Sequence, residues 1–258
     1  MAARTKPTIM GLGTGQGTGM TITTMTTATA MFMTIDAPRA DVSGVLFAWF
    51  SPAFPTGGFA YSHGIEAAAA DGRIDGESGL LAWLMAILDQ GAGWTDAVLF
   101  ALAHRAARAG DSAELARLAA LGAAYAPSRE RLAETLGQGS AFLAAVREGW
   151  PEATAELADK TAHPVAAGAC CGTIGTSLPV ALQAYLTGFC ANLIAAGVRL
   201  GLCGQKAGVR ILAALGPQIG QLALRASEAG EDDLGGCAFG SDIASMRHEV
   251  LEGRLFLS

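Results

Sequence analysis

The amino-acid sequence predicts an all-α protein: one helical bundle domain of about eight to ten helices, preceded by an N-terminal tail. Strand-type alternation of apolar and polar residues is absent after residue 36. Apolar residues recur instead at helical spacing, and glycine or proline punctuates the segments. Hydrophobic residues make up 51% of the 258 residues and charged residues only 16%, a composition typical of tightly packed helices.

Residues 1–36 form a low-complexity segment. Glycine alternates with other residues between positions 11 and 19, and threonine dominates between positions 21 and 29. No helical or strand period would bury one face of this segment, so the sequence predicts a disordered tail. Residues 37–258 are expected to form the folded domain.

The helices follow from apolar spacing and from residues that begin or end a helix. Thr56 or Ser62, and Asp242, can cap a helix N-terminus, and another helix begins at Ser128. Gly72 and Gly110 are residues that end a helix. The predicted helices cover residues 42–50, a stretch that begins between 56 and 62 and ends at 71, then 78–90, 96–109, 113–122, 128–146, 164–172, 178–200, 205–226, and a short last helix at Asp242.

The segment from residue 161 to 198 contains no Asp, Glu, Lys or Arg. Gly172, Gly175 and Pro179 interrupt it before about 20 continuous residues accumulate, so two core helices are the favoured interpretation and a membrane-embedded protein is the alternative. The second helix is apolar nearly all round, which predicts a central position. Because few charges remain to cover a bundle, part of the apolar surface is expected to contact another subunit or a partner.

The net charge of −6 argues against a nucleic-acid-binding protein, which would need a basic face. The five cysteines are odd in number and show no Cys-x-x-Cys spacing, so they are expected to be buried small side chains in a reducing compartment. Threonine and glycine interrupt any apolar stretch near the N-terminus, so no signal peptide is predicted. We therefore expect a cytoplasmic protein.

The histidines give little indication of catalysis. No two of them stand at i and i+4, and Gly-x-Ser-x-Gly is missing. His63 and Glu66 have a spacing that permits a shared metal ion, but a pair on a helix surface is the more common arrangement. No catalytic, metal or cofactor site is predicted. A hydrolase that uses His63 or a Cys–His pair is the alternative.

Two blocks near the ends of the helical region combine aromatic and cationic residues. Residues 51–66 place two prolines and three glycines around Phe59 and Tyr61. The C-terminal block ends with Arg254 and Phe256, and arginine and aromatic residues are frequent at interface hot spots. Chain ends also fray, so composition alone leaves fraying and interface open.

The two end blocks resemble the signatures of one protein family. Ser-Pro-Ala-Phe-Pro-Thr-Gly-Gly-Phe-Ala-Tyr-Ser-His-Gly-Ile-Glu at residues 51–66 resembles the N-terminal signature of the urease accessory protein F (UreF) family. Ile-Ala-Ser-Met-Arg-His-Glu at residues 243–249 and Arg-Leu-Phe-Leu-Ser at residues 254–258 resemble its C-terminal signature. The resemblance covers residues 42–258, and two long motifs in one chain make it specific.

The chain departs from the family pattern at two places. Residues 202–205 are Leu-Cys-Gly-Gln, where the family usually has a Pro-Leu-Gly-Gln turn. The penultimate residue is Leu257, where the family often has arginine. The second departure removes a cation from the segment expected to bind a partner.

The resemblance implies an all-α homodimer without enzymatic activity. Such a protein assembles with a UreD-type scaffold (also called UreH), the UreG GTPase and apo-urease, and promotes GTP-dependent nickel insertion. Nickel is then the delivered cargo and GTP is bound by the GTPase, so no cofactor is expected in this chain.

The resemblance also implies roles for individual positions. Tyr61 and Arg254 would shape the surface that recruits the GTPase, and residues 243–258 would become ordered on the scaffold. If the segment is ordered only on the scaffold, it contributes little to the fold of the free protein, and the aromatic ring of Phe256 can bury in a partner groove. The predicted partner-binding residues are Phe59, Tyr61, Glu66, Arg199, Arg247, His248, Arg254, Leu255, Phe256 and Ser258.

Overall fold

The structure of the chain, a computed structural model, describes residues 42–258. The tail predicted over residues 1–36 lies outside the described residues. The α-helices are α1 (Val42–Trp49), α2 (Ile65–Ala70), α3 (Gly76–Gln90), α4 (Ala92–Ala109), α5 (Ser112–Ala124), α6 (Arg129–Gly149), α7 (His163–Thr173), α8 (Leu178–Arg199), α9 (Gln205–Glu228) and α10 (Phe239–His248). No strand occurs within residues 42–258, and the predicted all-α fold is confirmed.

The helix ends show which sequence signals determine the local structure. Helix α6 begins next to Ser128, as predicted, and the Ser128 hydroxyl caps it by accepting the backbone N–H of Arg131 at 3.1 Å. The predicted start of α2 between residues 56 and 62 is wrong, because the helix begins at Ile65 after a short 3-10 turn. Asp242 does not cap the last helix, which begins three residues earlier; its carboxylate lies in the first turn.

Helices α4 and α7 form the centre of the bundle. A Cβ atom at Gly168 would clash with the carbonyl oxygen of Phe100, and one at Gly172 would clash with that of His104. Glycine at these two positions therefore lets the backbone of α7 lie directly against α4. The predicted core position of the first uncharged helix agrees with this arrangement, since residues 164–172 are all buried.

Helix α8 buries one face and leaves the other accessible. Leu182, Leu186 and Cys190 are fully buried, whereas Val180 is about half exposed. The helix is long and apolar enough to cross a membrane by length and composition alone, a test that core helices of soluble proteins also pass. The central position predicted for α8 therefore holds for one face, and the outer face borders a groove.

This groove, of about 620 Å³, lies between α1 and α8. Its apolar lining includes Leu46 and Phe47 of α1, Val180 of α8 and Leu212 of α9, and the Phe47 side chain is 78% exposed. We call these four residues the α1–α8 groove. On the neighbouring helix α9, the helical spacing of Val209, Leu212, Ile219 and Leu222 predicts one apolar face, but Val209 is exposed, so the buried face is narrower than the spacing predicts.

The cysteines differ in their surroundings. Cys170, Cys171 and Cys190 are buried, as predicted. Burial raises the pKa of the Cys170 thiol to about 11 and that of the Cys190 thiol to about 12, so both stay protonated at neutral pH. The expectation fails for Cys203, which is partly exposed, and for Cys237, which is exposed.

Candidate partner-binding site

The two end blocks, far apart in sequence, lie side by side in the structure. The backbone N–H of Ser62 donates to the carbonyl oxygen of Ser258 at 2.9 Å, and the Ser62 hydroxyl donates to the same oxygen. The N–H of Leu257 donates to the carbonyl oxygen of Ala60, also at 2.9 Å. The C-terminal segment, residues 249–258, therefore runs along the turn that precedes α2.

Glu66, in the first turn of α2, holds the backbone of the C-terminal segment. Its carboxylate accepts the N–H of Leu255 at 2.6 Å and the N–H of Phe256 at 3.0 Å, and it contacts Nε2 of His248 at 3.0 Å. Burial alone would raise the pKa of Glu66, but hydrogen bonds from Leu255, His248 and Phe256 hold it below its usual value. The side chain thus accepts two backbone N–H groups and contacts the His248 ring.

His248, at the end of α10, joins α10 to α2 and α6. Its Nδ1 lies 2.7 Å from Oε2 of Glu130, and its ring is fully buried. The Arg254 guanidinium pairs with the other oxygen of Glu130 and donates to the carbonyl oxygen of His248 at 3.3 Å. We call Glu66, Glu130, His248 and Arg254 the carboxylate–histidine cluster.

One turn further along α6, Glu134 binds the last residue of the C-terminal segment. The Ser258 hydroxyl donates to its Oε2 at 2.6 Å, and Nδ1 of His63 lies 3.4 Å from its Oε1. Despite burial, the neighbouring Arg131 guanidinium holds the pKa of Glu134 well below its usual range. Burial and Arg131 together lower the pKa of His63, so that imidazole is neutral at pH 7.

The pairing of His63 with Glu66 considered from the sequence does not occur. The two side chains are buried and bind different partners, Glu134 and His248 respectively, because His63 precedes the helix with a left-handed backbone (φ 57°). Within residues 42–258, no group of three or more His, Cys, Asp or Glu side chains is arranged to hold a metal ion.

The C-terminal segment alternates between inward and outward side chains. Phe256 and Ser258 point inward and are 2% and 0% exposed, whereas Leu255 and Leu257 are 57% and 60% exposed. Phe59, on the adjoining turn, is 75% exposed. We call Phe59, Leu255 and Leu257 the C-terminal patch. It is an apolar surface built from both end blocks.

Arg199, at the end of α8, fixes the inner side of this patch. Its guanidinium lies 4.2 Å from the centroid of the Phe256 ring and donates to the carbonyl oxygen of Phe59. Phe256 therefore packs on its own chain, and the expectation that it occupies a partner groove is wrong for this structure. The segment is ordered without a partner because Glu66, Arg199 and Glu134 satisfy its backbone and side chains.

The structure divides the predicted partner-binding residues into two groups. Glu66, His248, Phe256 and Ser258 are buried within the chain, so they hold the segment and present nothing to a partner directly. The accessible group consists of Phe59, Arg199, Arg247, Arg254 and Leu255, with Tyr61 half-buried. Arg247 lies apart from the cluster, paired with Asp71 at the end of α2.

Tyr61 lies against α6. A Cβ atom at Gly137 would lie 3.0 Å from the Tyr61 hydroxyl, which shows how closely the ring approaches that helix. Burial, followed by the charge of Glu134, raises the pKa of Tyr61. Tyr61 and Arg254 are thus connected through α6, which contacts them near Gly137 and at Glu130.

Sequence reasoning missed the contribution of α6. Glu130, Arg131 and Glu134 are buried ionisable residues that receive both end blocks, yet none of them was predicted as a site residue. A signal was present, since Glu130 and Glu134 stand at i and i+4 and share one helix face in a chain with few charges.

A polar cavity of about 190 Å³ lies beside Arg131, with Asp96 of α4 and Asp242 of α10 in its lining. Burial raises the pKa of Asp96 to about 6, although the Tyr185 hydroxyl donates to it at 3.3 Å. The folded protein therefore binds more protons than the unfolded chain between about pH 4 and pH 6. The contribution of Asp96 to stability falls as the pH rises through this interval.

Asp96→Asn is expected to become more stable relative to the wild type as the pH rises from 4.5 to 7. Asparagine retains an oxygen that accepts from the Tyr185 hydroxyl but carries no charge to desolvate. Denaturant titrations of both proteins at the two pH values measure the difference in the free energy of unfolding. A difference that does not change with pH would contradict the assignment.

Comparison with known proteins identifies the family. The UreF family model matches residues 74–216. The protein named Urease accessory protein UreF from Rhizobium leguminosarum bv. viciae is 46% identical over 214 residues, which cover 83% of this chain and 95% of the relative. The protein of the same name from Mesorhizobium japonicum is 47% identical over 224 residues, covering 86% and 99% respectively. The chain therefore belongs to the UreF family of urease accessory proteins.

Proposed function

We propose that this urease accessory protein is a non-enzymatic co-chaperone that assembles with a UreD/UreH-type scaffold, the UreG GTPase and apo-urease. In this role it promotes GTP-dependent nickel insertion, with nickel as cargo and GTP bound by the GTPase. The observation that carries the proposal is the C-terminal patch: both family signatures combine to present apolar side chains on one ordered surface.

The C-terminal patch has the composition of a docking surface for the scaffold. Phe59, Leu255 and Leu257 expose large apolar groups, with the cations Arg199 and Arg254 nearby. Aromatic, aliphatic and arginine side chains on a rigid support supply interface energy without a large ordering cost. Arg254 and Tyr61, which both contact α6, are the proposed link between scaffold binding and GTPase recruitment.

A second surface supports homodimer formation. The α1–α8 groove leaves Phe47 and Val180 exposed on helices that otherwise pack in the core. Large exposed apolar patches on a folded protein mark interaction sites, and a two-fold dimer brings the same face of both copies together. We place the dimer contact there, and we place the protein in the cytoplasm with its proposed partners.

The hydrolase alternative receives no support at His63 or at the three buried cysteines. His63 is buried against Glu134, and the thiols of Cys170, Cys171 and Cys190 are buried with raised pKa values. A nucleophilic cysteine needs a lowered pKa and access to substrate. The opposite conditions hold at all three residues.

Co-purification and urease activation test the proposed function. The chain is expressed with the scaffold, the GTPase and the urease subunits, and complexes are isolated through a tag on the scaffold. We expect this chain to be retained, the GTPase to be retained only in its presence, and active urease to form only when all components and nickel are supplied. Retention of the GTPase on the scaffold without this chain would contradict the proposal.

A further inference from the structure

The imidazole of His248 lies between two carboxylates. Nδ1 is 2.7 Å from Oε2 of Glu130, and Nε2 is 3.0 Å from Oε2 of Glu66. A neutral imidazole has an N–H on only one ring nitrogen, so it can donate to only one ionised carboxylate. Both short contacts are satisfied when the ring carries two protons.

The charges of the carboxylate–histidine cluster point to the same state. Glu66 and Glu130 contribute two negative charges, and Arg254 contributes one positive charge. The sum is −1 with a neutral His248 and zero with an imidazolium. An uncompensated charge in a buried site is strongly unfavourable, so the imidazolium is the state that balances the cluster.

The charged groups around the cluster contact groups outside it. Arg199 of α8 has no carboxylate partner; its guanidinium packs on the Phe256 ring and donates to the carbonyl oxygen of Phe59. On α6, Arg131 pairs with Glu134, and the nearby His63 is held neutral by burial. On either side of His248 in sequence, Arg247 pairs with Asp71 and Glu249 pairs with Arg129. The opposite charges within each of these pairs cancel. His248 is therefore the group whose protonation sets the net charge of the carboxylate–histidine cluster.

We propose that His248 is a buried imidazolium whose charge holds Glu66 in place, and that His248 is thereby a positioning residue for the C-terminal patch. Glu66 in turn fixes the N–H groups of Leu255 and Phe256, which sets Leu255 and Leu257 outward. Only the assignment of the patch to a partner rests on the proposed function; the charge of His248 does not.

Nitrogen-15 NMR of the histidine rings in the isolated full chain tests the charge state directly. At pH 7 we expect both ring nitrogens of His248 to show the chemical shifts of protonated nitrogen, with His63 as the internal example of a neutral ring. A shift typical of an unprotonated nitrogen in His248 would overturn the proposal, and this measurement does not depend on any variant folding.

Hydrogen exchange tests the positioning role through charge compensation. In His248→Gln, exchange of the amides of residues 255–257 is expected to be about 10- to 100-fold faster, because a charge-assisted contact is lost and a net negative charge remains. The double variant with Glu130→Gln removes one negative charge and is expected to recover part of this protection. Equal exchange in the single and double variants would overturn the positioning role.

Two controls separate this proposal from the proposed function. Arg247→Gln, on the exposed side of α10, is expected to leave the amides of residues 255–257 unchanged. Capture of the wild-type chain on immobilised scaffold is measured separately. If the NMR and exchange results are as expected but the wild type is not captured, the proposed function fails and the role of His248 stands. If the wild type is captured but NMR shows a neutral His248 ring, the proposed function stands and the role of His248 fails.

Discussion

Replacing Gly64 by alanine is expected to loosen α10 and to lower the free energy of unfolding by about 2–4 kcal/mol. Gly64 has a left-handed backbone (φ 77°), which costs a residue with a Cβ atom about 1 kcal/mol. An added Cβ would also lie 2.8 Å from the backbone nitrogen of Ser245, in the middle of α10. Because that neighbour is backbone, relief requires α10 to move.

Gly57→Ala is the matched control for this substitution. Gly57 has nearly the same left-handed conformation (φ 72°), but a Cβ atom there would have no neighbour within 4 Å. Its cost is therefore the conformational cost alone, about 1 kcal/mol. The difference between the two variants isolates the contact between the start of α2 and α10.

Urea titration of both variants measures the free energy of unfolding, and hydrogen exchange locates the change. In Gly64→Ala we expect faster exchange in residues 239–258, while the amides of α4 and α7 keep their relative order of protection. Equal destabilisation of the two variants would show that α10 adjusts at no cost. The close approach at Gly64 would then not determine the position of the C-terminal segment.

Much of the helical architecture follows from local sequence. The cap at Ser128 and the glycine that follows α4 each act within one helical turn. The local sequence is therefore enough to predict that α6 begins and α4 ends at these residues. The structure differs from the predicted start of α2 because Gly57, His63 and Gly64 adopt left-handed conformations, which delay the helix until Ile65. For a non-glycine residue such as His63, no local pattern predicts this.

The site depends on contacts between distant residues, and this explains what sequence reasoning could and could not find. The resemblance located both end blocks, but the inward or outward direction of Phe256 and Leu257 is decided by Arg199 and Glu66, far away in the sequence. Composition cannot tell which of two adjacent large apolar residues is buried and which is exposed. Only the folded structure therefore shows that Phe256 is buried and Leu257 is exposed.

Leu257→Asp combined with Leu255→Asp is expected to weaken capture by the scaffold by about tenfold to a thousandfold. Both side chains are more than half exposed, so aspartate at these positions remains in water and the free chain keeps its fold. In a complex, the same carboxylates would be buried against an apolar surface without partners. The cost of that burial falls on the bound state alone.

Binding of the purified variant to immobilised scaffold measures the effect, and denaturant titration confirms that folding is unchanged. Leu224→Asp is the matched control, because Leu224 is 60% exposed on α9 and outside the C-terminal patch. It should bind the scaffold as the wild type does. Phe256→Ala, in contrast, removes a buried ring from beneath Arg199 and is expected to lower both stability and binding. If the double aspartate variant binds with wild-type affinity, the scaffold contacts another surface, and the C-terminal segment acts only within its own chain.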